Sequence, residues 1–429
     1  MTAKPSKNAF FFVLVVVFLD MIGFGLIVPV MPDLLSELTG QSVEEAVQWA
    51  GPIMAVYALM NFMFGPILGG LSDRYGRRPV ILISVATLAL DFLVMGLATS
   101  IWMLFAARML SGISGATLSS ANAYIADVTD KESRGKAFGM MGAAFGLGFT
   151  IGPGLGGLLG QIDSRAPFFA AAALSSIGFF YGLFVMPESL KEENRRAFDI
   201  KRANPFGAFK HFSKLPHVSF LFLAVGLYML AHHVFPSTWS YYGAIRFGWS
   251  SAEIGATLMI VGIMSALVQG GLTGRIIKKI GAEKTAFYAL CITITAMICY
   301  GLANQPWMIY VLIPCGAFGG LVAPALSTIL SSRTPANAQG ELQGANAGLQ
   351  SLSSIIAPLV MTQTLHAFSG NNAPVYFPGA AFILAACLAA LAIIPLRIGL
   401  KRQAPIDEDS QEAPESLITD GAEPDAVRS

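Results

Sequence analysis

Charged side chains are scarce in this chain. They make up 12 % of its 429 residues, against roughly 25 % in a soluble domain. Apolar residues reach 54 %, and the mean hydropathy is +0.62. A water-soluble fold could not hide so much apolar surface, so the bilayer must be the solvent. The net charge of +1 is uninformative by itself, and no nucleic-acid partner is expected. Cysteine is rare as well: Cys291, Cys299, Cys315 and Cys387 all fall in apolar stretches of the second half. None has metal-ligand spacing, so they read as packing residues, and neither a metal nor a cofactor is expected. There is no Walker lysine loop, no H-E-x-x-H and no G-x-S-x-G, which argues against an enzyme. The first apolar run, from about Asn8 to Val30, has no A-x-A-like exit and reads as a span rather than a cleavable signal.

What the chain does have is long apolar runs. Twelve fit a membrane crossing, at roughly 9–30, 49–70, 79–99, 101–124, 137–160, 166–186, 217–240, 252–275, 284–303, 307–330, 341–364 and 375–397. Backbone groups in lipid must be satisfied within the chain, so these are helices. The expected fold is all-α and integral to the membrane, with twelve transmembrane helices in two pseudo-symmetric six-helix bundles. A short N-terminus at 1–8 precedes bundles at 9–186 and 217–397. A polar linker at 187–216 joins them, and the acidic tail at 398–429 lacks periodicity and is expected to be disordered. With both termini placed in the cytoplasm, all 27 lysines and arginines fall on the cytoplasmic side except Arg108, Arg165 and Arg246. That sorting supports the span count and the orientation together.

Between the second and third spans lies GGLSDRYGRRP, residues 69–79, a tight basic turn at the membrane surface. A looser relative, GGLTGRIIKKIGAEK at 270–284, follows about 200 residues later. Gly112 and Gly115 recur as Gly316 and Gly319, Gly139 as Gly344, and Pro153 as Pro358, at a nearly constant offset. Two like halves, each with a basic hinge, point to a transporter that rocks one half against the other.

Three charges lie deep in the first half: Asp20 in the first span, Asp91 in the third and Arg108 in the fourth. An isolated charge at the bilayer centre costs at least about 2.5–3.5 kcal/mol on insertion scales, so these groups must face the bundle interior. The two aspartates are read as sites for a proton or a cationic substrate, with Arg108 as partner or switch; a static buried ion pair is the alternative. The fifth span, GMMGAAFGLGFTIGPGLGGLLG at 139–160, holds nine glycines and Pro153. It reads as a bending gate helix or as a plain packing face. His232 and His233 in the seventh span either titrate during transport or sit neutral in a polar cavity. Gln269, Gln343, Asn346 and Gln350 suit hydrogen bonds to a substrate or a neighbouring helix. Tyr57, Phe64, Trp239 and Tyr241 could line a cavity or face lipid.

These stretches resemble the major facilitator superfamily, and within it the twelve-span drug/proton antiporters, most closely the tetracycline-efflux subfamily. GGLSDRYGRRP resembles the superfamily's hinge motif, ARMLSGISGA at 107–116 its fourth-helix motif and GLGFTIGPGLGG at 146–157 the antiporter motif, while LDMIGFGLIVPVMPDLL, ALDFLVM and RFGW are similar to the tetracycline exporters. The resemblance implies export of amphipathic small molecules against protons from a bacterial cytoplasmic membrane, by a chain that acts as a monomer. It implies that Asp20 and Asp91 serve exchange and that Arg108 couples proton binding to the gate. It implies that Gly69, Asp73, Arg74, Gly76, Arg77 and Arg78 lock the cytoplasmic side, with Arg77 pairing Asp127 and Asp73 capping the eleventh helix near Gly340. Gly148, Gly152, Pro153, Gly156 and Gly157 would form the antiporter helix. The sequence departs from the pattern at Ile294, where tetracycline exporters generally carry an acid, and at Ser265, where many carry a histidine; Gln269 matches their glutamine. Either the first-half aspartates then carry the coupling alone, or His232 or His233 helps. The competing readings are a proton symporter or facilitator that imports a metabolite, and a membrane receptor or scaffold without transport.

Overall fold

The computed structural model describes residues 7–115, 117–130, 132–199, 204 and 218–402. The expected N-terminal segment, most of the second part of the linker and most of the tail lie outside the described residues. Among those described there are helices and no strand.

Long apolar runs close their own backbone hydrogen bonds as helices, and twelve crossings result. The first runs Lys7–Ile27, a 3-10 turn at Val28–Val30, then Met31–Thr39. The second, third, fifth and sixth are Val43–Tyr75, Arg77–Gly96, Arg134–Ile162 and Ala166–Val185. The fourth is split into Ile101–Ile113 and Thr117–Val128. In the second half, the seventh is Ser219–His232 followed by Val234–Phe247, and the eighth is Ser251–Ser265, a π-helical stretch Ala266–Leu272 and Thr273–Ile280. The ninth is Ala282–Leu302, and the tenth is Pro306–Ala317, a 3-10 turn Phe318–Leu321 and Val322–Ser332. The eleventh and twelfth are Gln339–Ser369 and Ala380–Arg402. Ten of the twelve are long and apolar enough to cross a bilayer on length and composition; the fourth is broken and the eleventh is more polar.

Each half packs its own six spans. The first span lies on the fifth and sixth and the third on the sixth; in the second half the twelfth lies on the seventh and ninth. Phe12, Phe92, Tyr124, Phe168, Tyr242 and Phe382 are fully buried within the bundles. Phe184, Ile162 and Trp102 stand exposed on the outside, as expected where lipid replaces water. The halves meet through the fifth span on the eighth and the second on the eleventh. The duplication is visible in the backbone too. Gly76 and Gly281 hold positive φ of 110° and 83° immediately before the third and ninth spans, a conformation that only glycine adopts without cost.

The cysteines differ from expectation. Cys315 and Cys387 are exposed and Cys291 and Cys299 half-buried, so none is packed in the core of the second bundle.

Candidate functional site

The three intramembrane charges of the first half do not form a symmetric trio. Asp91 is fully buried and Arg108 nearly so. The guanidinium grips the carboxylate by both edges: Nε donates to Oδ1 at 3.3 Å and Nη2 donates to Oδ2. Its flat face lies 5.7 Å from the Tyr57 ring centroid and 5.9 Å from that of Phe92. Asp20 is equally buried, at 2 % exposure, yet neither of its oxygens has a hydrogen-bonding partner. Arg108 therefore pairs with Asp91, which leaves one paired and one unpaired acid. Phe92, next to Asp91 in the chain, approaches the first span. Gly23, one turn along from Asp20, sits so close to that ring that an added Cβ would lie 3.1 Å from it and 3.6 Å from Ser175 Oγ. Ser84 and Ser175 are likewise buried without partners, so the unpaired polar groups concentrate in this half.

Helix breaks mark the interior. The fourth, seventh and tenth spans are interrupted midway along, after Ile113, at His233 and at Phe318–Leu321, and the first nearer the loop end, at Val28–Val30. The fourth breaks shortly after Arg108, where Asn61 Nδ2 donates to the Gly115 carbonyl at 2.9 Å. Discontinuous helices of this kind build substrate and ion sites in transporters. At the seventh-span break, His233 places Nδ1 2.7 Å from the Met229 carbonyl and Nε2 3.2 Å from Ser354 Oγ. His232 is exposed and packs its ring 5.6 Å from those of Tyr228 and Phe235. Phe235 in turn begins an aromatic wall with Trp239, Tyr300 and Phe382. Trp239 and Tyr241 are thus buried in the bundle rather than facing lipid. Gln269 projects from the π-helical stretch of the eighth span over Gly320 of the tenth, and is exposed. Asn346 keeps a buried Oδ1 without a partner. Among the described residues no group of three His, Cys, Asp or Glu side chains is gathered to hold a metal.

At the end of the molecule that carries residues 69–79, the hinge end, charges cluster as the motif suggests. Arg77 Nη1 donates to Asp73 Oδ1 at 2.5 Å, and Nε donates to Asp127 Oδ2 at 3.2 Å. Arg74 lies 5.0 Å over the Tyr75 ring. A member that sequence reading missed is Glu188. Its carboxylate accepts the Arg77 and Arg78 backbone N–H groups at 2.8 and 3.2 Å, capping the third helix from outside its own segment. Ser189 adds a bond to Asp127 at 3.2 Å, and Arg196 N–H donates to the Asp73 carbonyl at 3.1 Å. The start of the linker is therefore strapped onto the motif. The second half carries the same connection with charges exchanged. Glu283, at the start of the ninth span, accepts from Arg333, at the end of the tenth, at 2.5 Å; Arg77 and Asp127 hold the equivalent places in the first half. Asp73 does not reach the eleventh helix here, for an added Cβ on Gly340 would meet no atom within 4 Å.

The two ends of the molecule differ sharply. At the opposite, loop end the halves touch backbone to backbone. Added Cβ atoms on Gly51 and Gly157 would lie 2.7 Å from the Pro358 carbonyl and 2.5 Å from the Ser251 carbonyl, and one on Gly255 would collide with the Pro153 carbonyl. Gln363 Nε2 donates to the Gln48 carbonyl at 2.9 Å. Gly148, Gly152 and Gly156 instead face the first span, against the carbonyls of Phe18, Ile22 and Leu26. The fifth span is one continuous helix through Pro153, so this glycine face works as close packing. Toward the hinge end the contacts stop: an added Cβ on Gly135, Gly139, Gly142, Gly146, Gly270 or Gly274 would meet nothing within 4 Å. The space between the halves is shut at the loop end and open at the hinge end.

Comparison with known proteins agrees. The chain matches the family model described as Major Facilitator Superfamily over residues 13–358. It is 38 % identical over 387 residues to the tetracycline resistance protein, class C, of Escherichia coli, covering 90 % of this chain and 97 % of that one. It is 30 % identical over 363 residues to multidrug resistance protein 2 of Bacillus subtilis (strain 168), covering 83 % and 88 %. Among solved structures, the nucleoside transporter NupG superposes with a TM-score of 0.74 at 13 % identity, over 92 % of this chain and 100 % of that one. That likeness concerns the fold alone.

Proposed function

The chain belongs to the major facilitator superfamily, a family of membrane transport proteins and not of enzymes, and from that premise we propose that it is a proton-coupled exporter of amphipathic small molecules, tetracycline-like compounds among them, working by alternating access. The observation that carries the proposal is Asp20: a buried carboxylate with no partner, in the same half as an Asp91–Arg108 pair that is complete. A lone carboxylate in a low-dielectric interior is costly while charged. A proton or a cationic cargo removes that cost, so each can displace the other. The Asp91–Arg108 pair, held between Tyr57 and Phe92, fixes the geometry around it.

The hinge end is assigned to the cytoplasm because the basic residues gather there. The chain is then read as two bodies, 9–186 and 217–397, joined by the linker at 187–216, and this state opens inward. Cargo enters from the cytoplasm between the bodies, where His232 is exposed, and its charge acts on the buried Asp20 of the other half. Closure of the cytoplasmic end follows from helix registry. Gly51 and Gly69 lie about five turns apart on one face of the second span, as do Pro358 and Gly340 on the eleventh. The contact of Gly51 with Pro358 at the outer end therefore continues as Gly69 and Asp73 against the start of the eleventh helix. There the Asp73 carboxylate meets the positive end of a helix dipole. In the same way Pro153 and Gly255 continue along the fifth and eighth spans to Gly146, Gly142 and Gly139 against Gly270 and Gly274. Glycine on both faces lets the backbones approach closely. Protonation of Asp20 from outside, after cargo leaves, favours return to the inward-open state.

The test is accumulation of ethidium or tetracycline by cells making the protein. Wild type lowers it, and an uncoupler abolishes the difference. Asp20→Asn, which cannot exchange a proton, loses the export while the protein stays in the membrane. Full uncoupler-sensitive export by Asp20→Asn would remove Asp20 from the mechanism.

A further inference from the structure

The outer seam between the halves contains an ionisable pair that the coupling site does not use. His366, in the last turn of the eleventh span, sets Nδ1 3.0 Å from the Glu44 carbonyl and Nε2 3.9 Å from Glu45 Oε2. Both partners belong to the other half of the chain. Because a backbone carbonyl can only accept, Nδ1 carries the ring hydrogen. In the neutral ring Nε2 then points a lone pair at a carboxylate, and the contact becomes attractive only when a second proton arrives. Glu45 is held in place by the Asn371 N–H, which donates to Oε1 at 2.6 Å. Solvent reaches the pair: the two side chains keep 25 % and 21 % exposure, and Glu45 borders a polar cleft of about 460 Å³ shared with Gln41, Ser42, Asn371 and Asn372. The charged residues of the second span that face His366 are Glu45 by its side chain and Glu44 by its backbone, and the adjoining loop presents Gly370 and Asn371. Of the other charged groups of this end, Glu37 pairs with Arg165, Arg246 donates to the Ala303 carbonyl, Glu253 bonds Ser250, Asp163 accepts the Arg165 N–H, and Asp33 is exposed on the first span.

We propose that Glu45 and His366 form an external proton site that clasps the two halves together when His366 is protonated. The pair exists only while the outer end is shut, so the shut state binds the proton more tightly than the open one. By linkage, acid outside favours the shut state. Part of the return stroke is then driven by the outer medium directly, before any proton reaches the membrane interior. A half-exposed pair of this kind shifts a two-state equilibrium by about two- to five-fold.

The inference rests on the assignment of this end to the outside, and its test requires neither cargo nor a gradient. Full-length protein without its native cysteines is labelled at Gln161→Cys and Asn304→Cys and reconstituted in vesicles. The distance distribution between the labels is recorded by pulsed electron resonance at pH 5.5 and pH 8. An Asp20→Asn background removes the response of the interior carboxylate. The shut fraction of that background should rise about two- to five-fold on acidification. Adding His366→Gln or Glu45→Gln should flatten the response, and exchanging the pair (Glu45→His with His366→Glu) should restore it. A background with no pH response, or a response that survives both single substitutions, overturns the clasp. Either result leaves export through Asp20 to be judged by the accumulation assay alone.

Discussion

Replacement of Gly142 by leucine should trap the transporter open to the cytoplasm without unfolding it. In the state described, an added Cβ at Gly142 would meet no atom within 4 Å, so the new side chain has room. It also relieves the helix of a glycine, worth about 0.5–1 kcal/mol in an isolated helix interior. In the cytoplasm-closed state the same position must face Gly270 at backbone-contact distance, as Gly255 now faces Pro153 at the outer end. Forcing methylenes into such a contact costs about 1–3 kcal/mol. Since the cost falls on one state only, the equilibrium moves about 5- to 150-fold toward the inward-open form. The assay is paired: thermal unfolding of purified protein in detergent, expected to hold or rise slightly, and ethidium export in cells, expected to fall by at least fivefold. Gly156→Leu is the contrast, because Gly156 packs on the Leu26 backbone in this state and its substitution should lower stability as well. Wild-type export by Gly142→Leu at normal expression would refute the closing registry.

Removing one member of the Asp91–Arg108 pair should destabilise the protein by about 3–5 kcal/mol, read as lost expression or a lowered Tm for Asp91→Asn. The double variant Asp91→Leu with Arg108→Leu should recover much of that stability but no export, whereas recovery of export would make the pair purely structural. Glu188→Ala should cost about 1–3 kcal/mol and quicken hydrogen exchange at the Arg77 and Arg78 amides, and unchanged protection there would show that another group caps the third helix.

Part of this site can be read from the residues alone. Asp20, Asp91 and Arg108 stand out because a charge inside an apolar run is expensive, and the hinge motif because its glycines and arginines crowd one turn. Which acid holds the arginine is not legible, since it depends on how the third and fourth helices face each other. Glu188 is invisible for a similar reason: a single acid in a polar linker carries no period, and its role appears only when the linker folds back on the hinge. The Glu283–Arg333 pair escaped because the repeat exchanges its charges, so a search for matching residue types passes over it. Composition likewise could not say that the antiporter glycines divide their labour. Registry sends Gly148, Gly152 and Gly156 to the first span and Gly157 to the eighth. The helix break after Ile113 is set by tertiary contacts, such as Asn61 holding the Gly115 carbonyl, and no proline announces it, whereas Pro236 marks the break at His233.

The central claim is that the unpaired Asp20 exchanges a proton for cargo. It is tested most directly by adding tetracycline or ethidium to proteoliposomes that hold a pH indicator and an imposed proton gradient. Wild-type protein should release protons as the drug moves, and Asp20→Asn should leave the indicator unchanged. Drug-driven proton movement by Asp20→Asn at the wild-type rate would contradict it.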